Sequence, residues 1–163
     1  MVKTGMKQSR ILLTGFEPPK NGVSPAKELL EQVDSHEVFF FSNDFNLIKE
    51  EADTITNSHY DYIIMFGWKP VIKRVLIEIE AKEGKNKLFT NTPLNLILDE
   101  LNASNISYAI SQNAGNSYCN YAYYQTLKSV FDNKLDAKVI FIHIPSLNNF
   151  VDMKKVINKL NNL

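Results

Sequence analysis

Asp44-Phe-Asn-Leu-Ile-Lys-Glu-Glu-Ala-Asp-Thr-Ile-Thr-Asn-Ser58, followed a few residues later by Tyr62-Ile-Ile-Met-Phe66, decides the fold class. In the first stretch Leu47, Ile48, Ala52 and Ile55 recur at helical spacing, so one stripe of an amphipathic helix is apolar. The second is an unbroken apolar run of strand length, as expected of a central strand covered on both faces. The same alternation runs outward in both directions. Upstream, Ile11 to Thr14 reads as a first strand. Ser24-Pro25 then supplies an N-cap and a proline at the first helical position ahead of Leu29, Leu30 and Val33, and Val38 to Phe41 is the next strand. Downstream come a strand over Val75 to Ala81 and a helix opened by Thr92-Pro93 with Leu94, Ile97, Leu98 and Leu101 inward. A strand at Tyr108 to Ser111, a helix from about Ser117, a strand over Val139 to Pro145 and a closing helix from Asn148 to Leu163 follow. Strands alternating with helices predict an α/β fold, a three-layer α/β/α sandwich with a mostly parallel twisted sheet. At 163 residues the chain has the length of one domain, with residues 1–9 as a tail.

Composition narrows the function classes. Lys plus Arg is 18 and Asp plus Glu is 18, and no stretch sets basic residues beside aromatics, so nucleic acid is not an expected partner. No apolar run approaches a membrane span, and the first ten residues hold no signal-like segment, so neither a membrane nor secretion is expected. The one cysteine excludes an internal disulfide and fits a reducing cytoplasm. With a single thiol and the scattered histidines His36, His59 and His143, no metal constellation and no cofactor are expected.

That cysteine, Cys119, lies in Ser111-Gln-Asn-Ala-Gly-Asn-Ser-Tyr-Cys-Asn-Tyr121, where a strand turns through glycine into a helix. Gly115 permits a sharp turn, and a helix N-terminus aims free N–H groups at the thiol and lowers its pKa. His143 ends the strand Val139-Ile-Phe-Ile-His-Ile-Pro145, so an imidazole is available as a proton acceptor. The plainer reading makes Cys119 a small buried hydrophobe and His143 a strand-end residue bonded to a carbonyl. Strand order puts Gly15, Gly67, Cys119 and His143 at strand ends, where open α/β sheets hold ligands, with Gly15 to Gly22 as a wall of the cleft.

Three segments together resemble the pyrrolidone-carboxylate peptidases, or pyroglutamyl peptidase I, a family of cysteine peptidases. The family's T-G-F-E-P is matched by Thr14-Gly-Phe-Glu-Pro18. Its S-N-x-A-G-x-x-x-C-N-x-x-x-Y is matched by Ser111 through Tyr124, and its F-I-H-V-P by Phe141-Ile-His-Ile-Pro145. The resemblance implies Cys119 as nucleophile, His143 as general base and a glutamate as third member. Counting from Gly67 places Glu78 on the family's I-x-I-E-R-I-A segment, with Glu80 its rival on the same face of an alternating strand and Val75, Ile77 and Ile79 on the other. Read without the resemblance, those carboxylates would be the wet face of an edge strand.

The resemblance further implies a peptide or small amide substrate contacted by Phe16, Gly15, Trp68, Asn113 and Gly115, no cofactor, and a homo-oligomer. The chain also departs from the family. The longer D-A-R-x-P-D-N-x-G and P-x-A-Y-F-S-T-L-P stretches are replaced by Lys82 to Pro93, Pro19 and Lys20 stand where E-P-F-G-G has its second aromatic, and Trp68 takes a position often filled by glutamine. The implied activity is removal of an N-terminal pyroglutamyl residue from peptides. The alternatives are a cysteine amidohydrolase of changed specificity, and a non-catalytic binding or assembly protein in which Tyr121, Tyr123 and Tyr124 serve as core or subunit contacts.

Overall fold

A computed structural model of the chain describes residues 8–146, 151–160 and 163. Of the expected tail over 1–9, all but Gln8 and Ser9 lies outside those residues, as does the expected start of the last helix at Asn148. The chain runs β1 (Ile11–Phe16), α1 (Pro25–Glu31), β2 (Glu37–Phe41), α2 (Phe45–Thr56), β3 (Tyr62–Trp68), β4 (Val75–Glu78), β5 (Glu80–Glu83), β6 (Asn86–Phe89), α3 (Asn95–Ala103), β7 (Tyr108–Ser111), α4 (Tyr118–Asp132), β8 (Lys138–Ile144) and α5 (Val151–Lys159).

Six strands form one sheet in the order β2-β1-β3-β8-β4-β7. Neighbours are parallel except at one seam, where β4 runs antiparallel to β8 while staying parallel to β7. The apolar run of β3 divides as a two-sided strand must, Ile64 and Phe66 toward one face and Ile63 and Met65 toward the other. Ala26, Leu29 and Leu30 of α1, Ile97 and Leu101 of α3 and Val156 and Ile157 of α5 cover the first face. Ile48, Ala52 and Ile55 of α2 and Tyr123, Leu127 and Val130 of α4 cover the second. These are the three layers that the alternating pattern predicts.

The caps follow from sequence chemistry. The Ser24 hydroxyl accepts the Lys27 N–H at 3.2 Å with Pro25 opening α1, and the Asp44 carboxylate accepts the Asn46 N–H at 2.9 Å to open α2. One expectation fails. The strand expected from Val75 to Ala81 breaks at Ile79, whose N–H still bonds Ser111 O at 2.9 Å and whose carbonyl accepts Thr90 N–H at 2.9 Å. Beyond that bend the chain leaves the main sheet and forms a separate hairpin, β5 against β6, turning at Gly84-Lys85 with Gly84 at φ +61°. A two-residue loop with glycine at positive φ in its first position is what a tight hairpin requires.

Candidate active site

The strand, turn and helix around Cys119 are held by local bonds. Ser111 Oγ accepts Asn113 N–H at 3.2 Å, Asn113 Oδ1 accepts Gly115 N–H at 3.1 Å, and Gly115 adopts φ +93°, a conformation that L side chains rarely enter. Ser117 is the N-cap of α4, yet its hydroxyl makes no capping bond. The first-turn N–H groups, that of Cys119 among them, therefore have no intrahelical carbonyl or serine cap to bond. Asn120, next in sequence, fixes the helix against the hairpin: its Oδ1 accepts Lys82 N–H at 3.0 Å and its Nδ2 donates to Lys82 O at 2.8 Å, as a neighbouring strand would.

This placement brings the sulfur onto the sheet at Gly67. A Cβ built on Gly67 would lie 2.6 Å from Cys119 Sγ and 2.8 Å from Phe141 Cζ, so only glycine leaves room for the thiol. Gly67 is directly opposite His143 in the β3–β8 register. On the other side of β8, the antiparallel seam sets Glu78 opposite Phe141 and Leu76 opposite His143. Glu78 is then the diagonal neighbour of His143 on one face of the sheet, within reach of a long side chain. His143 Nδ1 and Glu78 Oε1 are 2.9 Å apart, both side chains buried, at 3% and 0% exposure. Tyr123 of α4 donates its hydroxyl to the Glu78 carbonyl at 2.8 Å, and the His143 ring lies 4.8 Å from that of Phe141. The second carboxylate oxygen of Glu78 is buried with no protein hydrogen bond.

Glu80 goes elsewhere. The break at Ile79 turns it into β5 opposite Phe89, and among the described residues its carboxylate makes no bond to His143. The wet edge strand is also excluded, since Glu78 is fully buried and β4 lies between β8 and β7.

Electrostatics reverse one expectation. Burial first, and then the negative charge of Glu78, push the Cys119 thiol from its ordinary 9.0 up to about 12, against the favourable charge of Lys69. A helix N-terminus contributes about 0.3–1 kcal/mol at a surface site, too little to offset desolvation of a thiolate wedged between helix and sheet. Burial and the charge of Glu78 thus both favour the neutral thiol. The plainer reading of His143 fails on geometry, because the imidazole bonds a carboxylate rather than a carbonyl, and the half-buried Cys119 borders a cavity.

That cavity, of about 120 Å³, joins Cys119 to Phe16, Trp68 and Tyr118. Trp68 is braced by its indole N–H, which donates to Ser146 Oγ at 3.0 Å, and the Phe16 ring packs 5.7 Å from Phe41. The other three residues expected at the substrate do not line the cavity. Gly15 falls inside β1 rather than in a loop, and its α-carbon faces Phe40 and Leu30, where an added Cβ would sit 3.3 and 3.4 Å away. Asn113 and Gly115 build the turn. Glu17, Asn43 and Tyr118 line the cavity without having been singled out. Glu17 belongs to the T-G-F-E-P run and Tyr118 adjoins the cysteine, so both carried a signal, whereas Asn43 arrives only through the fold, its Nδ2 donating to Glu17 O at 2.6 Å.

Comparison with known proteins covers the same stretch of the chain. A family model described as pyroglutamyl peptidase matches residues 73–161, the segment holding Glu78, Cys119 and His143. The chain is 40% identical over 173 residues to the pyrrolidone-carboxylate peptidase of Thermoanaerobacter sp. (strain X514), covering 85% of this chain and 83% of that one. The chain belongs to the pyroglutamyl peptidase family. A pyrrolidone-carboxylate peptidase of Brachyspira hyodysenteriae is 26% identical over 171 residues, with 83% of each chain covered. Among solved structures, the pyroglutamyl peptidase I of Bacillus amyloliquefaciens shares the fold with a TM-score of 0.82 at 19% identity, covering 95% of this chain and 93% of that one. A mutant pyrrolidone carboxyl peptidase from Pyrococcus furiosus does so with a TM-score of 0.80 at 19% identity, covering 94% and 96%. Between Glu78 and α3 the β5–β6 hairpin and a short connection span the interval. Among the described residues no group of three or more His, Cys, Asp or Glu side chains could hold a metal ion, and no helix is long and apolar enough to cross a membrane.

Proposed function

We propose that this protein removes an N-terminal pyroglutamyl residue from peptides, with Cys119 as nucleophile, His143 as general base and acid, and Glu78 as the residue that orients His143. The observation that carries the reading is the buried 2.9 Å bond between His143 Nδ1 and Glu78 Oε1, beside a thiol seated over Gly67 and open to a cavity. Glu78 accepts the Nδ1 proton, which leaves Nε2 as the basic nitrogen. A buried carboxylate with one protein hydrogen bond is poorly compensated, and so favours the imidazolium that forms when the thiol proton arrives.

Burial favours the protonated sulfur, so in this mechanism His143 takes the thiol proton as the sulfur attacks. The sulfur forms a C–S bond to the acyl carbon as its proton passes to His143, and the carbonyl electron pair moves to oxygen. The Cys119 N–H, in the first turn of α4 and not bonded by a serine cap, serves as a main-chain donor to that oxygen. Collapse breaks the C–N bond, His143 gives the proton to the leaving amine, and a thioester remains. Water then attacks the thioester while His143 takes its proton, and the departing sulfur recovers that proton as the free acid leaves.

Phe16 and Trp68 offer apolar walls for a small uncharged lactam ring. The second reading, a cysteine amidohydrolase of altered acyl preference, rests on the departures from the family motif, Trp68 among them, and family membership does not favour it. Membership of a peptidase family weighs against a purely binding role. The substrate is a peptide, and the unpaired thiol suits a reducing compartment.

The test is turnover of a fluorogenic pyroglutamyl amide by the native chain and by Cys119→Ala. Turnover in the native chain and none in the variant supports the proposal. Undiminished turnover in Cys119→Ala refutes the nucleophile, and a panel of other acyl amides reads out the second possibility.

A further inference from the structure

Lys69 follows β3 directly, and its N–H donates to Ile144 O at 3.0 Å, so the parallel ladder with β8 continues one step past the Gly67–His143 pair. By strand alternation, residue 69 in that continued run falls on the face of residue 67, where the Cys119 sulfur sits over Gly67. Two residues along a strand span about 6.6 Å, within the reach of a lysine side chain leaning back toward the thiol. The Lys69 side chain is half-buried, and among the described residues it forms no ion pair with a carboxylate.

We propose that Lys69 is the electrostatic partner of Cys119, a positioning charge whose ammonium stabilises the thiolate as it forms. This rests on the reading of Cys119 as the nucleophile. The groups surrounding the sulfur make the need plain. Glu78 on β4 opposes its ionisation, His143 on β8 receives its proton, and Glu17 on the β1–α1 loop is already bound to Lys27 at 2.6 Å. Tyr118, on the helix of the thiol itself, contributes a neutral phenol. Lys69 is the cation that acts on the thiol in the favourable sense. A point charge on a flexible stem also suits the task, because stabilising a thiolate needs proximity and no fixed hydrogen-bond geometry.

The experiment uses the full chain and a neutral reagent, iodoacetamide, whose rate of reaction with Cys119 follows the thiolate fraction. Rates are measured from pH 7 to 9.5 at low and high salt for the native chain, Lys69→Met and Lys69→Arg. The expected result is a rate in Lys69→Met about tenfold lower at every pH, equivalent to one pKa unit. Added salt should slow the native chain and leave Lys69→Met unchanged, Lys69→Arg should recover most of the rate, and kcat for the pyroglutamyl amide should fall with little change in KM. Equal alkylation rates in the native chain and Lys69→Met at low salt would overturn the proposal, and so would a loss in Lys69→Met that Lys69→Arg does not recover. Should the methionine variant fail to fold, Lys69→Gln is read in its place. The underlying reading fails differently, by turnover that survives Cys119→Ala whatever stands at residue 69.

Discussion

The sulfur of Cys119 occupies the space that a side chain at Gly67 would fill, 2.6 Å from the position of the missing Cβ. Since Gly67 stands opposite His143 in the adjacent strand, the absence of one methyl group is what lets a helix-borne thiol settle beside a strand-borne imidazole.

Gly67→Ala should therefore abolish turnover while leaving most of the fold intact. The new methyl would meet the thiol and the fully buried Phe141 ring. Overpacking of this kind costs about 1–3 kcal/mol. A urea melt should show a loss in that range, and alkylation of Cys119 should change together with activity. Native turnover in Gly67→Ala would contradict the contact.

Glu78→Gln keeps the shape of the side chain but removes the charge and no longer dictates which imidazole nitrogen carries the proton. By analogy with the buried acid of a serine triad, kcat should fall by about 10⁴-fold. Glu80→Gln, on the far side of the bend at Ile79, should stay within a fewfold of the native rate. Measuring kcat for both variants checks the assignment, and equal losses would undo it.

Alkaline pH should weaken the fold in a window set by the thiol. Its pKa is about 12 in the folded chain against an ordinary 9.0, so above about 9 the unfolded chain releases this proton and the folded chain keeps it. The corresponding stability is intact below about 9 and declines as pH rises toward about 12. Burial also raises the Tyr123 hydroxyl above its ordinary 10.0, which steepens the decline at the upper end. Urea melts from pH 8 to 11 should give a shallower fall for Cys119→Ala than for the native chain. Parallel curves would remove Cys119 from the account.

Lys134 closes α4 at φ +53°, with its N–H on Phe131 O and the Leu135 N–H on Val130 O. This is a helix C-terminus that favours glycine, and a residue with a Cβ sits there at a cost of about 1–2 kcal/mol. Lys134→Gly should raise stability by about 1 kcal/mol at unchanged activity, a shift visible in thermal melts. A lower melting temperature would contradict the reading.

The alternation of apolar runs with amphipathic stretches was sufficient for the α/β layers, because a strand covered on both faces and a one-striped helix each have only one way to hide their apolar surface. The glycine turn before Cys119, the Ser24-Pro25 opening of α1 and the position of His143 near a strand end were local matters, and local chemistry announced them. The choice between Glu78 and Glu80 was not local. Alternation puts both on one face, and the separation depends on Ile79 bonding across to Ser111 and Thr90, partners far away in the chain. The reversed direction of β4 beside β8 is equally a property of pairing, since a strand reads the same along its own residues whichever way its neighbour runs.

The thiol's ionisation was misjudged from sequence for a related reason. A helix N-terminus is visible in the residues that form it, but the burial that outweighs it comes where the sulfur meets the sheet at Gly67 of β3 and Phe141 of β8, and the charge of Glu78 on β4 adds to it. Sequence by itself determined what layers would carry the site, because periodicity and turn residues act over a few neighbours, and its resemblance to a family singled out the candidate side chains. Tertiary structure alone decided which carboxylate meets the imidazole, how the sulfur is seated and how strongly it holds its proton, because those depend on distances between segments that share no local signal.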